Sequence, residues 1–308
     1  MFASTSSRRT ALALTLAAAC WGLGTVVSKR AIDEIPPLTL LPIQLGASLA
    51  ALAFLMRWRN LPFRDPAAAP ILGRLGLLNP GLAYALSLLG LAYVTVSLSV
   101  ILWALEPLLI LFLAAWFLRE PIGPAIVALS TCALGGVLLV IYQPGSEGSL
   151  IGVLLTIAGV ACCATYTVVT RRWLASADST PQVVVAQQLH ALAFAFVLVA
   201  AVWLLGGAVR PERVSAAGWP ARSDPASSAT ASPTGSACRR CAPSQHLWAA
   251  VSFYLIPLFG VAGAFVFLGE RLEPSQWLGA ALVLAAILVI LRRTTQLGIA
   301  PSEQPLRA

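Results

Sequence analysis

Long apolar stretches separated by short polar segments dominate the chain. A helix needs about 20 apolar residues to cross the hydrocarbon core of a bilayer, and nine stretches approach or reach that length. This pattern predicts an all-α polytopic membrane protein. The predicted spans cover residues 11–28, 38–56, 69–91, 95–118, 123–142, 149–170, 183–207, 248–268 and 275–291.

The sequence also repeats itself. Residues 19–30 read A-C-W-G-L-G-T-V-V-S-K-R, and residues 161–172 read A-C-C-A-T-Y-T-V-V-T-R-R, at an offset of 142. Further along, at an offset of 150, Pro107, Phe117, Leu118, Glu120 and Pro124 are matched by Pro257, Phe267, Leu268, Glu270 and Pro274. The chain is therefore interpreted as two copies of one unit.

Five spans precede the turn-rich linker 143–148, and an odd number of crossings makes the second copy enter from the opposite face. The sequence thus predicts ten helices in two inverted five-helix repeats. The expected divisions are 1–142 for the first repeat, 143–148 for the linker, 149–293 for the second repeat and 294–308 for a cytoplasmic tail.

Composition agrees with a membrane location. The chain is 58% hydrophobic and 10% charged, with a mean hydropathy of +0.84. The net charge of +8 comes from basic residues that flank the spans, which argues for membrane orientation and against nucleic-acid binding. A ten-span layout with both termini cytoplasmic places fourteen basic residues inside and five outside, and Lys29 and Arg30 are among the five.

The eighth span is anomalous. The counterpart of span three falls on residues 220–247, which carry Arg222, Asp224, Arg239, Arg240 and several prolines. Charges at the centre of a membrane helix are costly, so this stretch is not expected to span as written. Two readings stay open: a polar loop, which leaves nine spans and reverses the last two, or a local frameshift in an otherwise ten-span protein.

Metal and cofactor chemistry finds no support in the sequence. Cys20, Cys132, Cys162 and Cys163 lie within spans, where cysteine acts as a small apolar residue. Cys238 and Cys241 form a C-x-x-C without a second Cys or His pair nearby, so we expect no metal site. No nucleotide-binding loop or catalytic motif occurs in a credible context, and we expect no cofactor and no enzyme activity.

Glu106 is the sharpest candidate for function. It lies in the middle of the fourth span, and an intramembrane carboxylate is costly unless it faces a cavity or a partner. It could carry a proton or bind an amine; the alternative is a structural, hydrogen-bonded Glu. Pro107 and its repeat-mate Pro257 predict helix breaks near the midplane, where transporters bind their substrates, although simple kinks are an equal alternative.

Other polar and aromatic residues lie within spans and are candidates to line a substrate cavity. Gln44 and Gln188 are repeat-mates, and interhelical hydrogen bonding is the more ordinary role for both. His190 follows Gln188 by two residues. The aromatic candidates, for which ordinary packing is the alternative, are Trp21, Tyr84, Trp103, Tyr166 and Tyr254. Glu120 and Glu270, at the ends of their helices, are expected to be structural and to bond backbone or arginine.

These features together resemble one family. Trp21-Gly22, the P-L-(eleven residues)-E hairpins ending at Glu120 and Glu270, and Q-W-L-G-A-A-L at 276–282 are similar to the EamA-type branch of the drug/metabolite transporter superfamily. The resemblance covers about 15–293 except 220–247. It implies ten helices, a central cavity, and export or exchange of small metabolites, often amino acids. Many relatives have Arg where this chain has Gln44, and Gly where it has Arg119, so an anionic substrate is not implied.

The sequence therefore favours a secondary transporter that works by alternating access, in a bacterial inner membrane and with small molecules and lipid as its partners. A homodimer is left open. The competing hypotheses are a membrane-embedded lipid-modifying enzyme and, if 220–247 is genuine, an inactive transporter relic.

Overall fold

A computed structural model describes residues 5–60, 73–118, 124–141, 150–174, 180–206 and 255–296, and these residues contain helices and turns without a strand. Glu120, Tyr254, the linker and the 220–247 stretch lie outside them. The helices are α1 Thr5–Ile32, α2 Pro37–Trp58, α3 Leu75–Tyr93, α4 Val96–Trp103, α5 Glu106–Leu118, α6 Pro124–Ile141, α7 Leu150–Leu174, α8 Thr180–Leu204, α9 Leu255–Leu268 and α10 Pro274–Gln296.

The predicted class of an all-α polytopic membrane protein is confirmed. Within the described residues, six spans are long and apolar enough to cross a bilayer: α2, α3, α4 and α5 taken together as one span, α6, α7 and α8. Helix α9 and the first part of α10 are shorter apolar helices, and the long helix α1 covers the predicted first span.

Helices from the two halves of the sequence pack in close pairs: α3 with α7, α6 with α10, and α2 with α8. Glycines allow the backbones to approach. A Cβ atom added to Gly90 on α3 would lie 2.9 Å from the carbonyl oxygen of Gly152 on α7, and one added to Gly136 on α6 would lie 2.7 Å from that of Gly279 on α10. The small residues thus join one half of the chain to the other.

The end of α1 and the start of α2 lie at one face of the bundle, here termed the Lys29 face. Helix α9 runs beside α1 toward this face. Gly22, in the middle of α1, lies against Ile256 and Gly260, whereas Arg30 near the end of α1 bonds the carbonyl of Phe267 near the end of α9. The two helices are therefore parallel.

Helix α10 runs away from the Lys29 face, antiparallel to α6, since Gln276 contacts Val140 and Gly279 contacts Gly136. Helix α8 runs toward the same face, because its Ala195 shares a buried cluster with residues at the end of α1 and the start of α2. Both α8 and α9 thus point toward the Lys29 face.

Candidate functional site

The fourth span is interrupted near its centre. Helix α4 ends at Trp103, Ala104 and Leu105 form a turn, and α5 begins at Glu106. The N–H of Ala104 donates to the carbonyl oxygens of Val100 and Ile101, at 3.2 and 3.1 Å, which tightens the chain before the interruption. Pro107 has no N–H to continue the ladder. Glu106 thus stands at the first position of the helix that follows this turn, directly before Pro107.

Glu106 bonds a side chain from the other half of the sequence. The Cys163 thiol on α7 donates to Glu106 Oε1, with a sulfur–oxygen distance of 3.3 Å. The side-chain amide of Asn79 on α3 donates to the same sulfur at 3.4 Å. Three helices thus contribute to one polar chain, which runs from Asn79 through Cys163 to Glu106.

Asn79 occupies a distortion in α3. Its φ of −142° and ψ of 121° are extended, within an otherwise helical stretch that changes from a 3₁₀ turn at Leu75–Leu77 to a π-type turn at Leu78–Leu82. Among the described residues, its Oδ1 atom is buried and accepts no hydrogen bond. The polar chain therefore ends at Asn79 in a buried amide oxygen with acceptor capacity.

Sequence analysis missed both Asn79 and Cys163. It treated Cys163 as a small apolar residue of the sixth span, although the offset of 142 pairs it with the cavity candidate Trp21. The match between Cys163 and Trp21 was the signal in the sequence that could have identified Cys163 as a site residue. The role of Asn79 depends on the backbone distortion and on its contact with α7, neither of which a hydropathy pattern records.

Two of the predicted aromatic residues meet at the interrupted span. The rings of Trp21 and Trp103 are perpendicular within about 15°, with an interplanar angle of 77° and centroids 5.0 Å apart. This edge-to-face arrangement is favourable for aromatic pairs. Both side chains are half-buried. The pair brings α1 against the end of α4, three residues before Glu106.

The remaining candidates have other partners. Gln44 donates to Ser28 at 2.9 Å, and Gln188 donates to Ser48 at 3.0 Å, so both amides bond a serine of a neighbouring helix. These contacts are of the interhelical kind that was the ordinary reading for both residues. The acceptors are serine hydroxyls that the sequence alone did not single out.

Three further candidates lie on three different helices: Tyr166 on α7, His190 on α8 and Tyr84 on α3. Tyr166 is buried, and its hydroxyl donates to Gln187 Oε1 at 2.9 Å. His190 Nδ1 lies 2.8 Å from the carbonyl oxygen of Ala186 in its own helix, and its ring faces Gly73 at the start of α3. Tyr84 is half-buried and packs on a cluster that includes Leu88.

Pro257 and Glu270 complete the predicted positions. Pro257 is buried in the first turn of the described part of α9, so the break expected before it falls next to residues that are not described. Glu270 accepts hydrogen bonds from the backbone of α4, which confirms its expected structural bonding to backbone. Among the described residues, no group of three or more His, Cys, Asp or Glu side chains could hold a metal ion.

Comparison with known proteins adds a family and a fold. Residues 8–142 match the model of the EamA-like transporter family, which confirms the resemblance seen in the sequence. A crystal structure described only as that of a protein has a TM-score of 0.60, 16% identity, and a match over 94% of this chain and 99% of that chain. At that identity the likeness shows the fold alone. No curated protein matches the chain.

Proposed function

Because residues 8–142 match the EamA-like transporter family, a membrane transporter family of the drug/metabolite transporter superfamily, we propose that this chain is a secondary transporter. It exports or exchanges small metabolites such as amino acids by alternating access, in a bacterial inner membrane with both termini in the cytoplasm. Ten helices in two inverted repeats surround its substrate site. A homodimer is compatible with this proposal, which does not depend on it.

The observation that carries the proposal is the carboxylate at the broken span. Glu106 begins α5 directly after the interruption, and it bonds Cys163 of α7 from the second half of the chain. Discontinuous helices with polar groups at the contact between repeats are typical of transporter binding sites. An ionisable side chain in the middle of a membrane span is energetically costly, and its presence there favours a functional role.

The contacts also support a repeat symmetry around this point. Glu106 and Cys163 have Ile256 and Trp21 as their repeat-mates, and Gly22, next to Trp21, lies against the Ile256 carbonyl. The contact of α5 with α7 therefore resembles the contact of α9 with α1. The substrate site lies between these two contacts. Only the contact of α5 with α7 contributes a carboxylate, because the repeat-mate of Glu106 is Ile256.

We assign Glu106 to the charge of the substrate or of a coupled proton, and Trp21 and Trp103 to its apolar part. Tyr84, Tyr166 and Tyr254 are further candidates for the cavity wall. Gln44 holds α2 against α1, and Gln188 holds α8 against α2. His190 is a further candidate for the cavity wall. Pro107 and Pro257 set the positions at which helices of the two repeats are interrupted.

The test is counterflow of labelled amino acids in proteoliposomes that contain the purified protein. A transporter exchanges its substrate chemically unchanged, whereas a lipid-modifying enzyme would alter it. Glu106→Gln retains shape and some hydrogen bonding but removes the titratable charge. We expect this variant to insert normally and to lose exchange by at least about tenfold, or to lose its pH dependence, as expected when a charged interaction is removed.

Glu34→Gln provides the matched control, because Glu34 lies in the turn after α1, away from the interrupted span. It should exchange substrate as the unaltered protein does. Wild-type exchange by Glu106→Gln at every pH would remove Glu106 from the site and leave the aromatic residues as its candidates. Chemical conversion of the amino acid or of lipid, without exchange, would refute the transporter itself.

A further inference from the structure

Charged side chains gather at the Lys29 face, around the turn between α3 and α4. Lys29 Nζ donates to the carbonyl oxygens of Leu91 and Val94, at 2.7 and 2.9 Å. Leu91 lies in the last turn of α3 and Val94 is the C-cap residue that follows it, and a cation at a helix C-terminus is stabilised by the free carbonyls and the helix dipole. α1 thereby holds the end of α3 within the first repeat.

The start of α4 is held by the second repeat. Glu270, in the turn between α9 and α10, accepts from the backbone N–H groups of Val96 and Ser97 at 2.8 and 2.9 Å, and from the Ser97 hydroxyl at 2.7 Å. Val96 and Ser97 are almost fully buried. The carboxylate thus satisfies donors at a helix N-terminus that would otherwise need another acceptor.

A second charged contact joins the same two parts of the protein. Arg30 at the end of α1 donates from Nη2 to the carbonyl oxygen of Phe267, near the end of α9, at 2.6 Å. Gly269 follows with a φ of 69°, which is the left-handed conformation that favours glycine. The turn at Gly269 directs Glu270 toward α4, so the α9–α10 turn is fastened to both α1 and α4.

We propose that Glu270 and Arg30 form a latch that closes the Lys29 face of the transporter. The latch rests on the proposed alternating access, in which a central site is open to one face while it is closed to the other. Opening the Lys29 face requires the α9–α10 turn to separate from α1 and α4, and this separation breaks the bonds of both residues.

The latch has the chemistry of a reversible contact. Arg30 is exposed and Glu270 is partly exposed, so each regains water when the turn moves away. The partners of these two side chains are backbone groups at helix ends and the Ser97 hydroxyl, which water also satisfies once the turn has moved away. Charged hydrogen bonds therefore favour the closed state without trapping a buried, unpaired charge in the open one.

The experiment measures accessibility from each face in the full-length protein. All six native cysteines are replaced by serine, and a single cysteine is introduced by Thr25→Cys on α1 or by Thr167→Cys on α7. Thr25 and Thr167 are repeat-mates, so the inverted layout gives them opposite accessibility to a membrane-impermeant thiol reagent. Glu270→Ala is then compared with Glu273→Ala, which makes the same change at an exposed position of the same turn.

We expect Glu270→Ala to raise labelling of Thr25→Cys from the Lys29 face by about tenfold, the scale set by loss of charged hydrogen bonds. Labelling of Thr167→Cys from the opposite face should fall. Ser97→Ala removes one of the three bonds and should give a smaller shift in the same directions. Glu273→Ala should label as the parent protein does.

Unchanged labelling of both reporters in Glu270→Ala would overturn the latch. A rise in labelling at both reporters would also overturn it. Loosening of the whole fold exposes both faces, whereas release of a latch opens one face and closes the other. The labelling readout is independent of substrate, and counterflow is measured on the protein that keeps its native cysteines, because Cys163 belongs to the proposed site. Opposite shifts in labelling without amino-acid counterflow would retain the latch and reject the proposed transport. Counterflow with unchanged labelling would reject the latch and retain the transport.

Discussion

The contact between α6 and α10 gives a sharp test of the packing, because two adjacent glycines have opposite surroundings. A Cβ atom at Gly136 would lie 2.7 Å from the carbonyl oxygen of Gly279 and 2.9 Å from a methyl group of Val283. A Cβ atom at Gly135 would have nothing within 4 Å. Alanine therefore forces α6 and α10 apart at one position and is accommodated at the next.

The expected magnitudes follow from this geometry. Overpacking a close contact costs typically about 1–3 kcal/mol, and the atom in the way at Gly136 is a backbone oxygen, which cannot rotate aside. Gly136→Ala should thus destabilise the protein by about that amount. Gly135→Ala should be neutral or stabilising by up to about 1 kcal/mol, because alanine favours the helical backbone.

Thermal unfolding of the detergent-purified protein, followed by size-exclusion fluorescence, measures both variants. Gly279→Ala meets the same contact from the other side, with 2.5 Å between its Cβ and the carbonyl oxygen of Gly136. Since either substitution alone separates the helices, the double variant should cost less than the sum of the two. Equal melting temperatures for Gly135→Ala and Gly136→Ala would refute the reasoning, as would strict additivity of the pair.

Two further predictions concern the polar contacts. Cys163→Ala removes the donor to Glu106 and should change the KM of exchange by several-fold, about what one ordinary hydrogen bond is worth, whereas Cys163→Ser should restore most of it; counterflow at varied substrate concentration measures both. Tyr166→Phe removes one hydrogen bond of Gln187 and should lower stability by about 1 kcal/mol, which the same thermal assay detects. A melting temperature equal to that of the parent protein would show that this hydroxyl contributes nothing.

The sequence predicted what depends on local pattern and on the repeat. Apolar length located the spans, and the position of Glu270 at a helix end indicated its bonds to backbone. Each of these properties is determined within one or two turns of helix.

The partners of Glu106 could not be predicted in the same way. The bonds from Cys163 to Glu106 and from Asn79 to Cys163 join residues on three helices that are far apart in sequence. Their formation depends on the crossing of α3, α5 and α7 and on the extended backbone at Asn79. The sequence identifies polar groups that need partners, but the packing of helices decides which partners they find.

The pairing of helices across the two halves has a consequence for what moves. Helices α3 and α7, α2 and α8, and α6 and α10 each join one helix from either half of the sequence, and glycines bring the backbones of α3 and α7 and of α6 and α10 close together. A motion that displaced one half as a block would have to pull all three pairs apart. We therefore expect each moving unit to combine helices from both halves, so the midpoint of the sequence is a poor guide to the hinge. Neither half would have its natural neighbours if it were produced alone.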